Sequence, residues 1–136
     1  MATVFEKLNL KDQQSIAVLN APTSFEPEIA RLKGVKILRG IDSISEFQFS
    51  VAFVTRKSEV DALAPQIARR AKDDAIVWFA YPKGTSRKYK CDFNRDTGWD
   101  ALTKQGFETV RAVAIDEDWS ALRFRRHEFV KARANS

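Results

Sequence analysis

The sequence predicts an α/β three-layer sandwich: a small, mostly parallel sheet with helices on both faces and an antiparallel hairpin at its C-terminal edge. Three observations carry that expectation. Strand-length apolar runs alternate with helix signals through most of the chain. Two of those runs, the second half of Phe47 to Val54 (FQFSVAFV) and all of Ala75 to Tyr81, are apolar on both faces, as in strands buried inside a parallel sheet. Finally, Phe107 to Ile115 and Ser120 to Arg126 are separated only by Asp116-Glu117-Asp118-Trp119. A parallel crossover needs roughly a dozen residues, so this pair must be antiparallel.

The elements follow in order. Ser15 to Leu19 (SIAVL) reads as a short strand ended by Asn20-Ala21-Pro22. Thr23 and Glu26 stand at capping-box spacing, which predicts a helix with Ile29 and Leu32 on one face and Gly34 as its C-terminal cap. Val35 to Leu38 is the second strand, ended by Arg39-Gly40, and Phe47 to Val54 is the third. Ser58 with Asp61 opens a helix through Val60, Leu63, Ile67 and Ala71, in which Pro65 predicts a kink or restart. Ala75 to Tyr81 is the fourth strand. A third helix is expected from Asp96 to Gln105, with Trp99 and Leu102 inward and Gly106 as its cap. In the last strand Leu122 and Phe124 alternate with Arg123 and Arg125, giving one buried and one wet face.

The 136 residues read as one domain, 1–136, because this length suffices to bury a core and no repeat, low-complexity segment or linker divides it. With 44% hydrophobic and 30% charged residues, the composition is that of a soluble globular protein. The net charge of +5 suits anionic partners but does not require them. It gathers after Tyr81 and again from Arg123 to Arg133. Cys91 is the only cysteine and can form no intrachain disulfide, which fits a reducing cytoplasm. Met1 to Glu6 has no basic start leading into an apolar run, so no secretion signal is expected. Ile76 to Tyr81, the longest apolar run, falls far short of the roughly 20 residues a membrane span needs.

This alternation is a Rossmann-like plan, and its terminal hairpin resembles the last strand pair of methyltransferase-type folds. A second resemblance rests on a signature, W-x-x-Y-P-K followed by a basic, Ser-containing loop, an Asp and D-E-x-W-S-x-L. The residues are Trp78, Tyr81, Pro82, Lys83, Ser86, Asp92, Asp116, Glu117, Trp119, Ser120 and Leu122. The chain thereby resembles a family of small bacterial proteins of unknown function, whose short helix before the first strand is similar to Leu8 to Leu19. The resemblance implies a compact Rossmann-like domain and carries over no activity.

Several groups are candidates for chemistry. A dinucleotide or S-adenosylmethionine site needs a glycine-rich turn after the first strand and an acid at the end of the second. Here the turn is Asn20-Ala21-Pro22-Thr23-Ser24 and the second strand ends in Arg39-Gly40, so neither requirement is met and no cofactor is expected. The loop of Lys83, Arg87, Lys88, Lys90 and Arg95, with Gly84, Thr85 and Ser86, reads either as a cradle for phosphate or carboxylate or as a solvated loop. Tyr81, Tyr89 and Phe93 offer a stacking surface beside it. Lys83 stands out because Pro82 sets the turn where it leaves the strand.

Among the acids, Asp96 suits a helix N-cap and Asp116 to Asp118 suit a turn, while Asp92 reads as an ion-pair partner for Lys83. Trp119 reads as packing or as a cover over a pocket. Ser120 lacks a G-x-S-x-G elbow, and the one histidine, His127, lies on the basic tail, so no nucleophile is assigned. Cys91 has no neighbours for zinc, and no metal site is expected. Arg123, Arg125, Arg126, Lys131 and Arg133 read as phosphate contacts for nucleic acid or, more simply, as charges that discourage edge pairing.

The reading that follows is a small module, uncatalytic or unassigned, binding an anionic ligand or a protein partner at the loops after strands one and four. Asn20, Lys83, Ser86, Arg87 and Trp119 are its candidate site residues. A divergent methyltransferase-like transferase and weak nucleic-acid binding are the alternatives, and no membrane partner is expected.

Overall fold

A computed structural model describes residues 3–93 and 97–134, the last four in backbone only. Six strands form one sheet: β1 (Ser15–Leu19), β2 (Lys36–Leu38), β3 (Phe47–Phe53), β4 (Ala71–Pro82), β5 (Phe107–Ala114) and β6 (Trp119–Arg126). Their order is β2-β1-β3-β4-β6-β5. The first four are parallel, and β6 and β5 then run antiparallel as a hairpin. The α/β Rossmann-like sandwich with a C-terminal antiparallel hairpin is therefore the observed fold.

The period-two alternation of β4 explains the layers. Val77, Phe79 and Tyr81 face one core with Val60, Ala64 and Ile67 of α3 (Lys57–Arg70) and Leu102 of α4 (Asp100–Lys104). Ile76, Trp78 and Ala80 face the other, with Phe5 of α1 (Val4–Lys7), Leu8 just beyond it, and Phe25 and Ile29 around α2 (Glu26–Ala30). A wholly buried indole must place its N–H. Trp78 Nε1 donates to the Leu8 carbonyl at 2.7 Å, fastening the α1 layer to the central strand.

The chain visits β2 on one side of β1 and then crosses to β3 on the other. The switch point thus lies outside the C-terminal ends of β1 and β3, where open α/β sheets hold ligands.

Several local expectations are corrected. The short helix before β1 is Val4–Lys7, ahead of the Leu8 to Leu19 stretch. After β1 the chain makes a 3-10 turn over Thr23–Phe25 capped at Pro22, so no Thr23 capping box forms. Glu26 is instead drawn to Arg39. Because α2 ends at Ala30, Gly34 (φ 71°) turns the chain toward β2 rather than capping the helix. The N-cap of α3 is Arg56, not Ser58, and the Glu59 carboxylate accepts from the backbone N–H groups of Thr55 (2.8 Å) and Arg56 (3.0 Å). Pro65 does not end α3, because Val60, Ala64 and Ile67 on either side of it are held in one core.

The third helix covers only Asp100–Lys104, with Trp99 at its N-cap position and Gly106 (φ 87°) turning the chain beyond it. The expected cap Asp96 lies outside the described residues. The basic tail carries a helix that periodicity did not announce, α5 (His127–Ala134). Among the described residues no helix is long and apolar enough to cross a membrane.

Candidate ligand-binding site

The site grows from the exit of β4. Pro82 is the last residue of the strand and pairs with Trp119 across the antiparallel ladder. Lys83 N–H extends that ladder by donating to the Asp118 carbonyl at 2.8 Å, and Ser86 N–H turns back to the Lys83 carbonyl at 3.0 Å. The Ser86 hydroxyl donates to Asp118 Oδ1 at 2.9 Å and accepts from Tyr89 N–H at 3.2 Å. Asp118 is itself held by the turn, where Asp116 Oδ1 accepts from the N–H groups of Asp118 and Trp119, both at 2.8 Å.

The far end of the loop is tied as well. Asp92 Oδ1 accepts from Lys57 N–H at 2.7 Å, placing a carboxylate on the first turn of α3 where the helix dipole favours it. Asp92 therefore caps a helix rather than pairing with Lys83.

Between these ties lies a cavity of about 400 Å³. Lys83 and Lys90 bring positive charge to its lining; Tyr81, Tyr89 and Phe93 bring ring surface; Ser86 and Cys91 also line it. Among the described residues no acid lines it. The Phe93 and Trp99 rings meet edge to face at 4.9 Å, and Tyr81 packs on both. Gly98, at φ 89°, keeps Phe93 in place, since a Cβ there would stand 2.7 Å from Phe93 Cβ. Burial pushes the Cys91 thiol up from its ordinary value, with the Asp92 and Glu59 charges adding to the effect. The shift disfavours the thiolate, so the thiol is less reactive than a free one.

Lys83, Arg87, Lys88 and Lys90 have no described carboxylate within 4.0 Å. Arg95, the remaining cation of this loop, lies outside the described residues. Arg87 and Lys88 line a separate depression of about 290 Å³ shared with Glu117 and Asp118.

The structure therefore brings Lys83 and Ser86 together and leaves the other candidates apart. The Ser86 proton is committed to Asp118. Trp119 is 3% exposed and buried beneath the loop, its ring against Phe53 (5.2 Å) and Tyr89 (4.9 Å). Asn20 (φ 58°) is exposed at the end of β1. Strand β3 separates it from β4, a distance of about 10 Å at two strand spacings. Asn20, Lys83 and Trp119 do not share the β4 cavity. Tyr81, Tyr89, Lys90 and Phe93 do, and the interleaving of aromatic and basic residues along the loop was the signal for them. Gly98 was missed, because its left-handed backbone and its contact with Phe93 are tertiary facts.

The switch-point crevice has its own chemistry. Glu26 and Arg39 form a two-bonded pair, both bonds at 2.9 Å. The Arg39 guanidinium holds the Glu26 carboxyl below its usual range. A cation thus stands at the end of β2 where a ribose would need an acid. With no glycine in the Asn20-Ala21-Pro22 turn, these residues do not fit S-adenosylmethionine or a nicotinamide dinucleotide.

The C-terminal basic stretch is largely spoken for. Arg125 forms a two-pronged pair with Asp74, its Nε at 2.8 Å from Asp74 Oδ1. Arg126 donates to the carbonyls of Ala68 (3.0 Å) and Ala71 (2.5 Å) at the end of α3 and lies 5.0 Å over the Phe107 ring. His127 contacts Glu108. The side chains of Lys131 and Arg133 lie outside the described residues.

The chain matches no protein-family model and no curated protein sequence. Its fold is similar to that of an S-adenosylmethionine-dependent methyltransferase from Aquifex aeolicus, with a TM-score of 0.63 and 13% identity over 90% of this chain and 87% of that one. It is also similar to a TehB-like S-adenosylmethionine-dependent methyltransferase from Corynebacterium glutamicum, with a TM-score of 0.55 and 9% identity over 93% and 89% of the two chains. The [4+2]-cyclase SpnF is a further neighbour, with a TM-score of 0.62 and 11% identity over 90% and 78%. At these identities the likeness is one of fold. Methyltransferases and a cyclase share it, so function must be argued from the site.

Proposed function

We propose that the protein is a methyltransferase-like fold that binds a small anionic ligand in the cavity past β4, without the cofactor chemistry of its structural neighbours. The observation that supports this reading best is the cavity lining: Lys83 and Lys90 enter it, no described acid does, and neither lysine has a described carboxylate partner. Two ammonium groups without a described carboxylate partner at a partly enclosed surface favour an anion by charge and by hydrogen bonding. Lys83 is positioned by the ladder bond of its own N–H, so its Cα is held while the side chain remains available.

The test is calorimetric titration of the native chain and of Lys83→Ala with inorganic phosphate and sulfate. The native protein should bind, and the variant should bind about tenfold more weakly, the loss of one charge-assisted contact. Equal affinity in both proteins would remove Lys83 from the site.

The methyltransferase-like transferase is the second reading, favoured by the fold likeness and opposed by the glycine-free turn and the Glu26–Arg39 pair. Titration with S-adenosylmethionine decides between them. No binding is expected, and a micromolar dissociation constant would place the transferase first.

A further inference from the structure

We infer that the ligand of the β4 cavity carries a planar ring as well as its anionic group: an aryl or heteroaryl phosphate or carboxylate, with the anion at Lys83 and Lys90 and the ring against Tyr89, Tyr81 and Phe93. This rests on the anion reading above and goes beyond it in naming the ligand class.

The cavity, about 400 Å³, falls in the range of sites for ring-bearing small molecules and is far larger than a phosphate needs. A bare anion bonded to the two lysines would leave the remaining space as water against aromatic faces. Tyr81 and Phe93 are only 7% and 8% exposed, and both line this cavity. Both rings pack on Trp99, and the missing side chain of Gly98 makes room for Phe93, so the wall is built by the protein's own packing. Tyr89 is anchored through its N–H to Ser86 and through its ring to Trp119. Preformed aromatic walls with cations beside them favour ligands that pair a π-face with a negative charge.

A polyanion is the competing occupant, since Arg87 and Lys88 lie on the same loop. They line the neighbouring depression beside Glu117 and Asp118, however, whose charges oppose a phosphate chain crossing there. The cavity of Lys83 and Lys90 is lined by no described acid, and this favours the small ligand.

Cys91 lines the same cavity and is the only thiol in the chain, so its alkylation reports occupancy directly. The experiment follows the rate of N-ethylmaleimide labelling of the full chain at mildly alkaline pH, titrated with phenyl phosphate, adenosine 5′-monophosphate, adenosine, inorganic phosphate and an oligothymidylate. Phenyl phosphate or the nucleotide should protect Cys91 at concentrations about tenfold below those needed by inorganic phosphate or adenosine. Lys83→Ala, which leaves the aromatic wall intact, should abolish most of that advantage over adenosine. If inorganic phosphate protects as well as the ring-bearing anions, the anion site stands and the ring inference falls. If adenosine protects as well as its monophosphate, or nothing protects, both readings fall. An oligothymidylate binding about tenfold more tightly than phenyl phosphate would identify a polymer and overturn the inference.

Discussion

Lys83, Arg87, Lys88 and Lys90 in the β4 loop, and Arg125 and Arg126 at the end of β6, look alike in the sequence: dense positive charge with aromatic neighbours. The fold treats them in opposite ways. Arg125 and Arg126 sit at fixed register in a paired strand, where Asp74 and the closing carbonyls of α3 come within reach of a planar fork. Binding energy there is spent internally. The β4 loop is tied through Ser86 and Asp92, neither of them a cation, and its basic side chains are left without described carboxylate partners. Charge in a sequence is therefore a poor guide to a binding surface until its internal partners are counted.

The largest expected effect probes the internal side. Asp74→Ala leaves Arg125, whose side chain is 16% exposed, without its two-pronged partner, and should cost about 2–3 kcal/mol in urea unfolding. A loss below about 0.5 kcal/mol would erase the contrast between the two regions.

Gly98→Ala should cost about 2 kcal/mol, from a left-handed φ of 89° and a Cβ forced against Phe93, and it should also disturb the ligand cavity. Thermal unfolding together with Cys91 labelling separates those two consequences. Ser86→Ala removes one hydrogen bond to Asp118 and one from Tyr89 N–H. About 1 kcal/mol of stability should go with them.

Lys83→Ala and Lys88→Ala should each shift unfolding by within about 0.5 kcal/mol, because neither amine has an ion pair among the described residues to lose. Only the first should weaken anion binding. A melting-temperature loss comparable to that of Asp74→Ala would show that the loop is structural after all.

The smallest effect is one of pH. Cys91 holds its proton more tightly in the folded chain, so its iodoacetamide reactivity should reach half-maximum above the pH of a free thiol, about 8.5. By linkage, a small contribution to stability is present below the unfolded thiol value and lost as pH rises through the folded one. Half-maximal labelling below the free-thiol value would contradict the burial of Cys91.

The strands were legible because their signal is local: β3 and the last hairpin appear in the residue pattern nearly to their ends, whereas β4 begins at Ala71, four residues before the apolar run and at a residue the pattern gave to the helix. Helix ends were less so. Their caps depend on which side chain arrives first, and Glu59 and Asp92 took the α3 terminus that Ser58 was expected to hold. The prominence of Lys83 was readable from Pro82 alone. The shape of its cavity was not, since Asp92 reaches Lys57 across 35 positions and Phe93 depends on Gly98 and Trp99.

Alone, then, the sequence determined the α/β class, the parallel core, the antiparallel edge and the location of basic charge, because hydrophobic period and loop length act over a few residues. Tertiary structure decided which cations are consumed and which remain available. That choice depends on contacts such as Arg125 with Asp74, 51 positions apart, and Ser86 with Asp118, 32 apart, which exist only once the sheet has brought its strands side by side.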